Sequence, residues 1–294
     1  MKTKFMKTTN LIILLAISVA VSFTSCSKKE GCTDPTAENY DPNAEKDNGT
    51  CLYKTPTTPI PTKTSGKLTF TFAHHFDGVA VIDHDIHMPS FSYINANNDT
   101  LSITRMRYLI SDIRLYKSNG DSIMIEGYQL VDLSNSSTLS FAPSTAENIP
   151  FDSYTGISFI FGFDSTDNVT SLYPDLNSAS WGWPASMGGG YHFMQMEGKY
   201  KHLGNDSSYT YHMGMANKMM MGIFEQNYFK ADLGAITITN DASIQIKMDI
   251  SEWYKNPGVW DLNQYHSSLM GNYTAQKLMN SIGRDVFSLG TVVQ

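Results

Sequence analysis

The sequence predicts a mainly β protein: an antiparallel β-sandwich with a short C-terminal helix, preceded by a disulfide-closed N-terminal segment and a linker. Three observations predict it. Apolar residues recur at every second position in short runs, clusters of Asn, Asp, Ser and Gly separate those runs, and helical periodicity is confined to one stretch near the C-terminus. The 294-residue chain opens its folded part at about Gly66, where Leu68, Phe70 and Phe72 alternate with Thr69 and Thr71, one face for a core and one for solvent. Further strands are expected over 101–116, 122–132, 155–163, 190–200, 207–215, 231–238 and 242–250. Turns such as Asn97-Asn98-Asp99 and Ser118-Asn119-Gly120-Asp121 divide them. Between Asn263 and Ile282, the residues His266, Leu269, Met270, Tyr273 and Leu278 continue from Leu262 at helical spacing, and Gly283 is the expected stop. One domain over 66–294 accommodates all of this.

Ahead of the domain, Lys2, Lys4 and Lys7 precede an apolar run from Leu11 to Val21 and the tetrapeptide Phe23-Thr24-Ser25-Cys26. This reads as a secretory signal over 1–25, too short to span a hydrocarbon core of roughly 30 Å as a helix. Its ending resembles a bacterial lipobox, so Cys26 is the expected lipidated first residue of the mature chain. The protein is then lipid-anchored in the cell envelope, facing the periplasm or exposed on the outer membrane. Of the three cysteines, Cys32 and Cys51 remain as an even pair in an oxidising compartment, where a disulfide is the default. Between them Asp34, Asp41, Asn43, Asp47 and Asn48 supply turn chemistry, with a spacing that does not fit an EF-hand loop. Residues 54–65 form a Pro/Thr-rich linker, so 26–65 as a whole is an anchored spacer. The formal charge of −7 becomes more negative once the leader's lysines are removed, which argues against nucleic acid as a partner.

No Walker loop, G-x-S-x-G elbow or HExxH motif is present, and no nucleophile–base pair stands out, so a binding protein is expected rather than an enzyme. Sixteen methionines and eight histidines instead point to soft-metal chemistry, copper above all, because imidazole and thioether suit Cu(I). By strand parity, His74 ends the Leu68-Phe70-Phe72 row, and His192, Met194 and Met196 share one face. His212 lies in Tyr211-His212-Met213-Gly214, and His266 and Met270, four apart, are expected on one helix face. His74, His192, His212 and His266 are therefore the candidate metal ligands, with Met194 and Met270 as possible soft ones. His84 and His87 are read as solvated, and Met219-Met220-Met221 as an apolar loop. Trp181-Gly182-Trp183, followed by Gly188-Gly189-Gly190-Tyr191, reads as an aromatic loop over a strand. An exposed version of it supports a different function, a cell-surface glycan- or protein-binding module without metal.

Five segments together resemble the MbnP-like family, the methanobactin-associated periplasmic copper-binding proteins and their lipoprotein relatives. They are Phe72-Ala73-His74-His75-Phe76-Asp77-Gly78; the stretch from Asp99 to Leu115; Trp181-Gly182-Trp183 with Gly190-Tyr191-His192-Phe193-Met194; Tyr211-His212-Met213-Gly214; and His266-Ser267-Ser268-Leu269-Met270. The resemblance implies a β-sandwich that holds one copper ion through histidines, with His74 and His212 at matching positions. It also implies a tryptophan beside the metal, Trp181 or Trp183, that a partner di-haem enzyme of the bacterial peroxidase family oxidises to kynurenine.

Overall fold

The computed structural model describes residues 27–54, 63–87, 90–202, 205–218 and 222–294. The expected signal peptide over 1–25, the expected lipidation site Cys26 and Met219–Met221 lie outside the described residues. The chain divides into two compact units, Met1–Pro61 and Thr62–Gln294. In the first, Cys32 and Cys51 are joined by a disulfide, and two-residue strands Glu30–Gly31 and Lys46–Asp47 pair in parallel. Its carboxylates close local turns: Asp34 accepts from the Thr36 N–H at 2.8 Å, Asp41 from Asn43 at 2.9 Å and Asp47 from Gly49 at 3.0 Å. Each of these groups satisfies its own backbone, as expected of Asx turns.

The second unit is a sandwich of two sheets. The smaller contains β1 (Leu68–Phe76), whose alternating burial places Leu68, Phe70, Phe72, His74 and Phe76 inward, as the sequence pattern predicts. The larger is organised on β2 (Arg105–Tyr116), a twelve-residue strand. One edge of β2 carries β3 (Ser122–Asp132). The other edge is shared: β4 (Asp152–Phe161) pairs with residues 110–116, and β5 (Met194–His202) with residues 105–108. Beyond β5 lies β6 (Asn205–Met213), and beyond β4 lies β7 (Phe229–Ile238). The smaller sheet also contains β8 (Ala242–Asp249) and β9 (Phe287–Val293). All these pairings are antiparallel except β1 with β8, which run parallel in register from Leu68–Ala242 to His75–Asp249. That exception is possible because the whole larger sheet intervenes between the two strands in sequence, far more chain than a parallel crossover needs.

Aromatic side chains join the sheets. Phe72 meets Tyr108 edge-on at 6.3 Å between centroids, and Phe159 meets Phe287 at 4.9 Å. Each such buried ring contributes roughly 1.5–3 kcal/mol by its removal from water.

The C-terminal helix is shorter than its periodicity predicts. It runs over α1 (Tyr273–Gly283), where the Asn272 side chain caps the Ala275 N–H at 3.0 Å. Ser268 adopts a left-handed conformation with φ of 57° and leads into a single 3₁₀ turn, Leu269–Gly271. His266 and Met270 therefore precede the helix instead of sharing a helix face, because the capping asparagine and the left-handed serine start the helix ten residues later than the apolar spacing implies.

Candidate metal site

The site is built on the outer face of β5 and β6. Across these strands Met194 opposes Met213, Gln195 opposes His212 and Met196 opposes Tyr211. Met194, Met196, Tyr211 and Met213 all belong to the core between the sheets. By alternation, Gln195, Glu197 and His212 project to the opposite side. Strand parity predicts His192 beside Met194, and here the structure corrects the prediction. Phe193 and Met194 are both buried in the core, so the alternation breaks between them and His192 is carried across to His212. The backbone of Phe193 stays in the sheet, donating to Met213 O at 2.8 Å and accepting from Leu109 N at 2.9 Å. Its ring occupies the space above Gly162, where an added Cβ would lie 2.4 Å from the ring. Gly162, with φ of 88°, is what makes room for two consecutive inward side chains.

The result is a pair of imidazoles. The rings of His192 and His212 have centroids 5.5 Å apart and planes at 82°. His192 is 6% exposed; its ring and its backbone both bond the Trp181 carbonyl, with Nδ1 at 3.1 Å and the backbone N–H at 2.9 Å. A carbonyl only accepts, so Nδ1 carries the proton and Nε2 the lone pair. Burial pushes the His192 pKa down to about 4, which keeps this imidazole neutral near pH 7 and competent as a ligand. His212 is held from two sides. Its Nε2 lies 2.9 Å from Glu197 Oε1, and Gln276 of α1 donates to its carbonyl at 2.8 Å while accepting from the Gly214 N–H at 3.1 Å.

Two tryptophans close over His192. Their ring centroids lie 5.4 Å (Trp181) and 4.9 Å (Trp183) from it. Trp183 donates its indole N–H to Met187 O at 3.1 Å and lies flat against Gly214, where a Cβ would come within 2.5 Å of the indole. Trp181 lies under the Arg107 guanidinium, 4.8 Å from the ring centroid, and its indole N–H has no partner. Both indoles and Tyr191 are buried at 0–2% exposure. The loop thus lies over a strand as expected but forms a lid, and it offers no open aromatic platform. Beside it, His212 faces an open cleft of about 720 Å³ whose walls include Met187, Thr210, Met270 and Tyr273.

The family model MbnP matches residues 65–271, more than half of the chain. The chain belongs to the MbnP family. Among solved structures, MbnP from Methylosinus trichosporium is similar, with 14% identity, a TM-score of 0.47, and coverage of 78% of this chain and 99% of that one. Two curated proteins match over short stretches. The chloroplastic ribulose bisphosphate carboxylase/oxygenase activase of Arabidopsis thaliana is 71% identical over 24 residues, and activase 1 of Larrea tridentata is 68% identical over 25 residues. Those stretches cover 8% of this chain and 5% of each activase.

Within this MbnP-family domain the other sequence-predicted ligands lie elsewhere. His74 is on the inner face of the sandwich, its Nε2 3.1 Å from the Tyr108 hydroxyl. Tyr108 opposes the core residue Met194 across β2 and β5, so His74 and Met194 are on the other side of the large sheet from the imidazole pair. His266 lies two residues before the cleft-lining Ser268. Its carbonyl accepts from the Thr210 N–H at 2.8 Å, its ring faces Tyr200 at 6.0 Å, and its buried Nδ1 has no partner. Met270 is on the cleft wall. Among the described residues no group of three or more His, Cys, Asp or Glu is gathered in metal-binding geometry. Glu197, Arg107 and Met187 were not singled out by the sequence. Glu197 becomes legible only once the β5–β6 register puts it on the His212 face, two residues from Gln195.

Proposed function

We propose that this MbnP-family domain captures or stores copper outside the cytoplasm, with His192 and His212 as the metal-holding pair. The observation that carries the reading is the 5.5 Å separation of the two rings, with His212 on the wall of an open cleft. Two imidazoles that ligate one ion at roughly 2 Å from each nitrogen have centroids about 5 to 6 Å apart. The donor set fits as well: His192 is neutral because it is buried, and the thioethers of Met187 and Met270 line the same cleft. Neutral nitrogen and sulfur donors favour a soft cation such as Cu(I) over Mg²⁺ or Ca²⁺. The tryptophan lid shields one side of the pair from water, while the cleft leaves the His212 side open to an incoming ion. The role is binding, and Trp181 or Trp183 beside the pair is the ring that a partner di-haem enzyme would oxidise, as the family resemblance implies. Lipidation at Cys26 tethers the domain to the envelope. The burial of both indoles supports this reading over glycan recognition, which needs exposed rings for stacking.

Titration of the mature chain with Cu(I) against a chromophoric competitor tests the proposal. One equivalent is expected to bind, His192→Ala and His212→Ala are each expected to abolish tight binding, and His74→Ala is expected to leave it intact. Absence of binding, or binding that survives both site substitutions, would overturn it.

A further inference from the structure

Glu197 stands behind the imidazole pair in a defined arrangement. Its Oε1 lies 2.9 Å from His212 Nε2 and 2.8 Å from a guanidinium nitrogen of Arg105, and its side chain is 25% exposed. An ionised carboxylate has no proton to give, so His212 Nε2 must be the donor in that bond. The neutral ring therefore keeps its lone pair on Nδ1. His192 is fixed in the opposite sense, with Nδ1–H given to the Trp181 carbonyl at 3.1 Å and the lone pair on Nε2. The two rings are held as opposite tautomers, one by a backbone carbonyl and one by a side-chain carboxylate.

We infer that Glu197 is a positioning residue for metal capture, holding His212 as the Nε2–H tautomer so that Nδ1 receives the ion. The inference rests on the copper reading above and deepens it. A carboxylate hydrogen-bonded to the far nitrogen of a ligating imidazole fixes the ring's orientation and makes it a stronger donor. Arg105, paired with the same oxygen, holds the carboxylate in place from the other side. The β-strand register explains the arrangement: Glu197 pairs with Arg105 on β2 and with Thr210 on β6. It is thus diagonal to His212 on the outer face, within reach of a long side chain.

The test uses the ¹⁵N-labelled mature chain. Long-range ¹H–¹⁵N correlation spectra of the metal-free protein at about pH 8, where an ordinary imidazole is neutral, read each tautomer directly. Wild type is expected to show His212 as Nε2–H and His192 as Nδ1–H. Glu197→Ala is expected to release His212 into a tautomer mixture and weaken copper binding by about 10- to 100-fold, with the His192 signal and the thermal unfolding midpoint unchanged. Glu197→Gln keeps an oxygen acceptor, so it is expected to retain the tautomer and restore part of the affinity. A wild-type His212 in the Nδ1–H form, or a Glu197→Ala chain with wild-type affinity, overturns this inference alone. A wild-type chain that binds no copper overturns the copper reading and this inference with it.

Discussion

Substituting Gly162 by alanine strikes at the reason His192 and His212 meet. The added methyl would stand 2.4 Å from the Phe193 ring, and it would sit on a backbone with φ of 88°. The left-handed conformation costs an L-residue about 1–2 kcal/mol, and overpacking a filled core costs about 1–3 kcal/mol. The chain is expected to lose about 3 kcal/mol in stability, read as the midpoint shift in guanidinium-induced unfolding of the mature protein. Because the ring of Phe193 has to move, the break in strand alternation that places His192 on the outer face is disturbed too. Copper affinity should therefore fall together with stability. A double-mutant cycle isolates the cause. Phe193→Ala alone leaves a cavity and costs about 3–5 kcal/mol, and in its background the methyl at 162 meets no ring. The double mutant should accordingly be more stable than the sum of the two single losses predicts, by about 1–2 kcal/mol. A Gly162→Ala chain with near-wild-type stability and copper affinity, or strict additivity in the cycle, would refute the argument.

Asp112, at a register irregularity of β2 with φ of 49°, has its carboxyl raised to about 6 by burial and by the nearby Asp167, Asp164 and Glu126. The folded state therefore holds this proton more tightly than the unfolded state does, so its stabilisation is full below about pH 3.8 and is lost as pH rises to about 6. Asp112→Asn, whose side chain tolerates the same left-handed backbone, should gain about 1 kcal/mol at pH 7.5 after allowance for its half-exposed position. The gain should vanish near pH 4, and equal unfolding midpoints at pH 7.5 would count against it. His74 has the opposite sign: burial lowers its pKa to about 4 from 6.5, so its contribution is present above pH 6.5 and is lost as pH falls through 4. In His74→Leu the decline in stability over that window should flatten. The substitution should also cost about 1–3 kcal/mol at pH 7, because the buried Tyr108 hydroxyl loses its partner. An unchanged pH dependence would contradict this. Arg107 over Trp181 makes removal of an electron from that ring harder, since the cation already draws on its π face. Peptide mass spectrometry of protein from its native host is expected to place any oxidation on Trp183, and modification confined to Trp181 would reverse that assignment.

Much of the architecture is legible in the residues alone. The row Leu68, Phe70, Phe72 and His74 gives both the strand and the inward direction of the histidine, because a half-buried strand writes its burial in alternate letters. The Cys32–Cys51 disulfide is the pair that remains once Cys26 is set aside as the expected lipidation site. The site is less legible for a specific reason. Parity puts His192 beside Met194, yet Phe193 and Met194 both turn inward, and the cause is a glycine thirty residues earlier than His192, just past the end of β4. No local pattern around His192 reports Gly162. The same holds for the helix: Leu262, His266, Leu269 and Met270 have helical spacing, but Asn272 caps the helix only after them. Trp181 and Trp183 are correctly placed over a strand by the glycine run that follows them. Their burial depends on Gly214 and Arg107, which are neighbours only in space.

The most direct measurement is diffraction from a crystal of the mature chain grown with copper, collected on the high-energy side of the copper absorption edge. One anomalous peak is expected, between the rings of His192 and His212, nearest Nε2 of the former and Nδ1 of the latter. A peak beside His74, or copper bound away from both outer-face histidines, would contradict the account.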